Sequence, residues 1–259
     1  MTIPATSAAT RDEQMIVTAA RALRDGDVCF VGIGLPSAAA NLARLTHAPN
    51  VVLIYESGTI GAKPSALPLS IGDGELANTA DAVVSIPEIF AYWLQAGRVD
   101  IGFLGAAQID RYANINTTVI GSYDHPATRL PGAGGAPEIA AHAREVFVML
   151  RQSARAFVPI LDFVTSVGHL HGGDARRRLG LAGRGPTRVI TDCGILTPAP
   201  DDNELQLTEL CWGVTVEQVR AATGWPLRVA STVGQIEPPT GHELEVLREL
   251  QERTRRAHA

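Results

Sequence analysis

Apolar positions recur along the chain with two alternating periods. In "RDEQMIVTAARALRDGD", Met15, Ala19 and Leu23 fall at every fourth position, which predicts a helix with one apolar face and a stop at Gly26. "DVCFVGIG" is a short continuous apolar run and reads as a buried strand. "PSAAANLARLTH" reads as a helix with Pro36 near its first turn, where a missing N–H leaves no bond unmade. "VVLIY" is the next strand, "IPEIFAYWLQAGR" a helix with Ile86, Phe90 and Leu94 on one face, and "VDIGFLG" another strand. Strand and helix alternating in this way predict an α/β fold: an open, largely parallel sheet covered by helices.

The pattern loosens after "VDIGFLG". "NINTTVIGSY" alternates irregularly, and "GAGGAPEIA" is a glycine turn that runs into a helix. "VFVML", "FVPILDFVTS" and "TRVITDCGIL" read as strands with turn chemistry between them. Two late helices begin with capping boxes, Thr215 with Gln218 and Thr240 with Glu243, in which each side chain satisfies a first-turn donor of the other residue. Gly224 fits as the C-terminal cap of the first. The second, "HELEVLRELQERTRRAHA", closes the chain and is expected to fray. The first ten residues are small and polar, and are also expected to fray. Neither an internal repeat nor a linker interrupts residues 1–259, which are expected to form one domain.

Composition narrows the function classes. Hydrophobic residues make up 46% of the 259, enough for a full core. A net charge of −5 argues against nucleic acid as the main partner, because no basic excess exists to neutralise phosphates. Cys29, Cys193 and Cys211 have the spacing of neither a disulfide framework nor a metal knuckle, and Cys29 lies in a core pattern. Reduced thiols in the cytoplasm are the simplest reading. The N-terminus lacks the basic-then-apolar order of a signal peptide. No apolar run approaches the roughly 20 residues needed to span a bilayer.

Several stretches carry candidate chemistry. In "LIYESGTIGA" an apolar run stops at Glu56, and Ser57 and Gly58 break the pattern. This is either a strand reaching water or a carboxylate placed for chemistry. Gly32-x-Gly34 stands between a strand and a helix, but Ser37 occupies the place of the third glycine in a dinucleotide fingerprint. In "PGAGGAPEIAA", Gly132, Gly134 and Gly135 leave backbone N–H groups bare beside a helix start, where a developing oxyanion could be stabilised. Gln108, Asp110, Asn114 and Asn116 follow a strand end, where ligands bind in open α/β sheets, although such residues also build turns. Arg176, Arg177 and Arg178 read as a solvated face. The histidines show no metal spacing, and only His125 lies among clustered polar residues. Neither a metal enzyme nor a Ser-His-Asp hydrolase finds support.

The order of these stretches is more informative than any one. "VGIGLP", "YESG", "GAAQIDRYANIN", "GSYDHPATRLPGAGGA", "DFVTSVGHL" and "RLGLAGRGPTRVITDCGIL" succeed one another in an order that resembles the β subunit of family I coenzyme A transferases, of the glutaconate CoA-transferase type. The resemblance spans about residues 12 to 250 and implies the CoA-transferase α/β fold. It also implies roles. Glu56 would be the nucleophile. Gly132, Gly134, Gly135 and Ala136 would form the loop beside the acyl intermediate. Ser57, Gly58, Gly34, Gln108 and Asn116 would line the substrate and CoA site. Coenzyme A would enter as part of the substrates, with no permanently bound cofactor and no metal. The partner would be an α subunit, in an α2β2 heterotetramer with the site between chains, acting on an acyl-CoA and a small carboxylic acid in the cytoplasm. A hydrolase or lyase on the same fold, and a non-catalytic acyl-CoA-binding subunit, are the alternative readings.

Overall fold

The computed structural model describes residues 9–259. The fraying expected of the first ten residues falls mostly outside that range. Thr10, however, is the cap of α1 (Arg11–Arg21): its hydroxyl accepts from the N–H of Glu13, and the Glu13 carboxylate accepts from the N–H of Thr10. There follow β1 (Val28–Phe30), α2 (Leu35–Leu45), β2 (Val52–Ile54), β3 (Thr59–Ile60), α3 (Gly74–Thr79), β4 (Ala82–Val83) and α4 (Ile86–Glu88). The middle holds β5 (Ile101–Gly105), β6 (Gln108–Ile109), β7 (Ile115–Asn116), β8 (Val119–Gly121), β9 (Pro126–Arg129), α5 (Ala136–His142), β10 (Glu145–Met149) and α6 (Ala175–Arg178). The chain continues through β11 (Pro186–Ile190), β12 (Gly194–Pro198), β13 (Leu205–Leu210), α7 (Val216–Ala221), β14 (Arg228–Gln235) and α8 (Gly241–Ala257).

Among the described residues ten strands form one sheet, in the order β14-β13-β12-β11-β10-β5-β1-β2-β3-β4. The five central strands, β11 to β2, run parallel. Antiparallel pairs flank them, β2 with β3 and β3 with β4 on one side, β11 with β12 and β12 with β13 on the other. Alternate residues of the central strands feed two cores. Cys29, Leu53, Phe103 and Phe147 face α1, α2 and α8, whereas Phe30, Ile54, Leu104 and Val148 face Ile89, Leu94 and Ile139. Burial on both faces is why these strands read as unbroken apolar runs. Ion pairs from Arg21 to Glu243 (2.7 Å) and Arg248 to Glu13 (2.6 Å) tie α8 across α1.

Three expected elements differ. Residues 86–94 are not one α-helix: Ile89–Leu94 form a π-helix, with Gln95 N–H on Phe90 O (2.8 Å). The longer period puts Ile89 and Leu94 on the buried side and leaves Ile86 51% exposed, so Ile86, Phe90 and Leu94 do not share a face. "FVPILDFVTS" is no strand; its ends are held to β6 and β7 by single bridges, Phe157 to Ile109 and Ser166 to Ile115. Pro159 removes a ladder donor, and Ile160 is 82% exposed. Gly224 does not cap α7, whose cap is Ala222; Gly224 lies instead where a Cβ would meet Phe157 O at 2.6 Å. Both capping boxes form as expected.

Candidate active site

The end of β2 is pinned before Glu56 is reached. Tyr55 is fully buried, and its hydroxyl meets Ser37 Oγ at 3.1 Å and accepts from Asn41 Nδ2 at 3.4 Å, both on α2. Burial pushes the Tyr55 phenol above its ordinary pKa, so it stays neutral. The chain then turns back into β3: Tyr55 N–H donates to Thr59 O, and Gly58 N–H donates to Tyr55 O at 3.0 Å. Gly58 has φ +102°, a conformation that such a three-residue hairpin loop favours in glycine. A Cβ there would also lie 2.0 Å from Val84 O, so only glycine fits. Glu56 therefore stands at the first position of a tight turn, on a strand that cannot shift.

The Glu56 side chain is half-buried and has no hydrogen bond or ion pair among the described residues. Its oxygens face bare backbone. A Cβ on Gly134 would be 3.7 Å from both oxygens, and one on Gly135 would be 3.2 Å from Oε1. These glycines precede α5, which lies close over β5 because Gly102 has no side chain; a Cβ there would meet Ile139 Cγ2 at 2.4 Å. Thr117 clamps the loop from both sides. Its carbonyl accepts from Gly132 N–H, and its hydroxyl donates to Gly132 O, each at 2.8 Å. Ala136 N–H is engaged by Ala133 O at 3.0 Å. That leaves the N–H groups of Ala133, Gly134 and Gly135, among the described residues, with no acceptor.

A cleft of about 450 Å³ opens at this point, lined by residues following β1 and β5, by the 131–136 loop and by Glu56. Between β1 and β5 the strand order reverses, since the chain runs from β1 to β2 on one side and then to β5 on the other. Ligand sites of open α/β sheets lie at such switch points, beyond the carboxyl ends of the strands. The lining is largely apolar, with Phe30, Phe103 and Ile139 in it, and Glu56 is its one ionisable side chain among the described residues. An uncompensated carboxylate close to bare glycine backbone, in an apolar cleft, is placed to attack a carbonyl.

A family model for coenzyme A transferase matches residues 12–222. The chain belongs to the coenzyme A transferase family. It is 63% identical to the β-type subunit of the 3-oxoadipate CoA-transferase of Pseudomonas knackmussii over 252 residues, covering 97% of each chain. It is 37% identical to the β-type subunit of the glutaconate CoA-transferase of Acidaminococcus fermentans, covering 93% of this chain and 91% of that one. The crystal structure of glutaconate CoA-transferase from the same organism superposes with a TM-score of 0.87 at 34% identity, covering 93% of this chain and 94% of that one. The decarboxylase AibA/AibB, at 24% identity and a TM-score of 0.80, covering 96% of this chain and 98% of that one, shares the fold.

In this coenzyme A transferase the cleft gathers only some of the residues expected there. Glu56, Gly132, Gly134, Gly135 and Ala136 line it; Gly34, Ser57, Gly58, Gln108 and Asn116 do not. The N–H of Gly132 is taken by Thr117 O and that of Ala136 by Ala133 O, so neither is a free donor. Gly34 caps α2, with φ +86°. Ser57 Oγ is buried without a partner among the described residues. Asn116 is fully buried and builds a turn: its amide donates to Gln108 Oε1 (2.7 Å) and Val119 O (2.6 Å), and its carbonyl accepts from Thr118 N–H (2.9 Å). Gln108 in turn donates to Asp162 (2.8 Å). Asp110 and Asn114 form a similar local turn, and burial pushes the Asp110 carboxyl up. Arg176 is not solvated: its guanidinium is buried and bonds the carbonyls of Ala140, Gly168 and Gly183. His125 is exposed between β8 and β9. Two neighbours of the site, Thr117 and Phe90, carry no signal in the sequence. Thr117 lies inside an Asn- and Thr-rich turn, and Phe90 reads as one more core residue of a helix.

Proposed function

We propose that this chain is the β subunit of a CoA-transferase in which Glu56 is the nucleophile. The observation that carries the reading is the Glu56 carboxylate, free of partners, against the bare backbone of Gly134 and Gly135. A carboxylate is itself the nucleophile, so attack needs no separate base. The carboxylate adds to the thioester carbonyl of an acyl-CoA. CoA thiolate leaves, and a mixed anhydride joins the acyl group to Glu56. The thiolate then adds to the Glu56 carbonyl of that anhydride, which releases the acyl group as a carboxylate and leaves CoA on Glu56 as a thioester. An acceptor carboxylate reverses the two steps: it displaces CoA to form a new anhydride, and CoA thiolate attacks the acceptor's carbonyl to give the new acyl-CoA and free Glu56. Each oxyanion formed on Glu56 develops beside the Gly134 and Gly135 N–H groups. Loss of one such donor elsewhere costs roughly 10²- to 10³-fold in rate.

The route moves one thioester between carboxylates and consumes no cofactor. Similarity to a 3-oxoadipate CoA-transferase supports a 3-oxo dicarboxylic acid as one of the acids. Because the cleft holds no cationic side chain among the described residues, we assign recognition of the distal carboxylate to an α subunit, in an α2β2 assembly. We place the enzyme in the cytoplasm, where its three free cysteines stay reduced. Among the described residues no helix is long and apolar enough to cross a membrane. Release of CoA from acyl-CoA by the two-subunit enzyme, followed with and without an acceptor acid, tests the reading. Transfer requires the acceptor for turnover; turnover at the same rate without one would mark a hydrolase.

A further inference from the structure

We propose that Phe90 is a positioning residue of this site: its ring rim seals the Glu56 side of the cleft, holds the carboxylate against the Gly134–Gly135 backbone and keeps water from the thioester formed there. The proposal rests on Glu56 being the nucleophile. Three observations converge on it. First, Phe90 Cζ and Cε1 lie 2.5 and 2.8 Å from the point where Gly135 would carry a Cβ, and Glu56 Oε1 lies 3.2 Å from the same point. The aromatic rim and the carboxylate oxygen thus press on one bare patch of backbone. The rim of an aromatic ring is the positive end of its quadrupole, so a carboxylate is tolerated beside it where an apolar aliphatic group would only desolvate it.

Second, the backbone that carries Phe90 is a π-helix, a conformation that is rare and frequent at functional sites. Its wide turns bury Ile89 and Leu94, five residues apart, and leave Phe90 between them half-buried, behind the Gly135 end of the cleft rather than in its lining. The segment is fastened at both ends. Ser85 and Glu88 form a reciprocal cap, and Arg98 N–H donates to Trp93 O at 2.9 Å. Third, the ring is backed by Phe30, with centroids 5.8 Å apart and planes tilted by 51°. Phe30, the last residue of β1, itself belongs to the cleft lining. A ring packed on a second ring, over a glycine, cannot swing away without opening the core beneath it.

The chemistry gives such a seal a purpose. A glutamyl thioester is open to water as well as to an acceptor carboxylate. Water adding to the Glu56 carbonyl would expel CoA thiolate and regenerate the Glu56 carboxylate, hydrolysing one acyl-CoA per cycle without transfer. Excluding water keeps CoA on Glu56 until the acid arrives.

The test uses the assembled two-subunit enzyme with Phe90→Ala, Phe90→Leu and Phe90→Tyr. Transfer to an acid and CoA release without an acid are measured side by side, and the Glu56 adduct is trapped with hydroxylamine. Phe90→Ala is expected to lower the transfer kcat by roughly 10²-fold, as a small misplacement of a reacting group does, while the KM for acyl-CoA changes little. Acceptor-independent CoA release rises at least about tenfold relative to transfer in the same variant, because the carboxylate is both misplaced and wetted. Phe90→Leu, which keeps apolar bulk at the site, restores the ratio in part, whereas Phe90→Tyr, whose hydroxyl would sit on Cζ, the atom pressed on Gly135, does not restore it. If the ratio of release to transfer stays at the wild-type value in Phe90→Ala while the adduct still forms, Phe90 is only a packing residue and the proposal fails alone. If the wild-type enzyme forms no adduct on Glu56, the nucleophile assignment fails and this proposal falls with it.

Discussion

Glu56 and Gly135 occupy one another's space: a methyl group on Gly135 would lie 3.2 Å from Glu56 Oε1. Gly135 has an ordinary φ of −84°, so alanine brings no backbone strain there. Gly135→Ala is therefore expected to keep its fold and lose its chemistry. Crowding against Phe90 lowers stability by about 1–3 kcal/mol, while the displaced carboxylate lowers kcat by about 10²-fold. Steady-state kinetics and thermal unfolding of the same sample separate the two effects. A variant with near-normal kcat would show that the contact does not matter.

Gly58→Ala should do the opposite and act on the fold first. Its φ of +102° and the 2.0 Å approach to Val84 O leave no room for a Cβ. The turn must open or β4 must move, at a cost of about 3 kcal/mol or more. Denaturant unfolding is expected to show a lower midpoint with an unchanged slope, and activity falls because the turn no longer holds Glu56.

Asn116→Ala is expected to cost stability rather than binding. Four hydrogen bonds converge on this fully buried amide, and truncation removes a partner from Val119 O and from the N–H groups of Thr118 and Val119, and leaves Gln108 Oε1 with only Asp162 N–H. A loss of about 2–4 kcal/mol follows. The surviving folded enzyme should keep its KM for acyl-CoA; a selective rise in KM with normal stability would return Asn116 to the binding site.

The carboxylate and the glycine loop are legible in the sequence because both break a pattern. Glu56 interrupts an apolar strand, and three glycines in four positions leave the backbone bare. The sheet is legible because strands covered on both faces must be apolar throughout. What escapes depends on partners distant in sequence. A 3.6-residue period cannot register a π-helix, so it assigns Phe90 to a core face with Ile86. "FVPILDFVTS" has strand composition, but each end finds only a single bridge on the β6–β7 hairpin. Gln108 and Asn116 have the composition of a ligand site, and only the fold shows that they satisfy each other. Three adjacent arginines look alike in sequence, yet one of them lies over three backbone carbonyls brought together from elsewhere.

His169 gives a pH dependence of stability. Its Nε2 lies 2.8 Å from Pro186 O, which only accepts, so the ring carries a proton on Nε2. Burial, with the Arg176 cation adding to it, holds its pKa below the usual imidazole value of 6.5. The unfolded chain then binds a proton that the folded chain refuses, so stability falls as pH drops below about 6.5, until the folded pKa is reached. His169→Gln keeps a donor for Pro186 and removes the titration. Its melting temperature should fall less than that of the wild type between pH 7.5 and pH 5, as checked by calorimetry at both values; an equal fall would show that His169 does not contribute.

The most direct measurement is covalent trapping on Glu56. The two-subunit enzyme, incubated with its acyl-CoA and no acceptor and then treated with hydroxylamine or borohydride, should carry the modification on the peptide containing Glu56. Glu56→Ala should carry none and lose transfer activity, with a melting temperature equal to or above the wild type, because a partner-free, half-buried carboxylate has been removed. An unmodified Glu56 peptide, together with a Glu56→Ala enzyme that transfers CoA at the wild-type rate, would contradict the assignment.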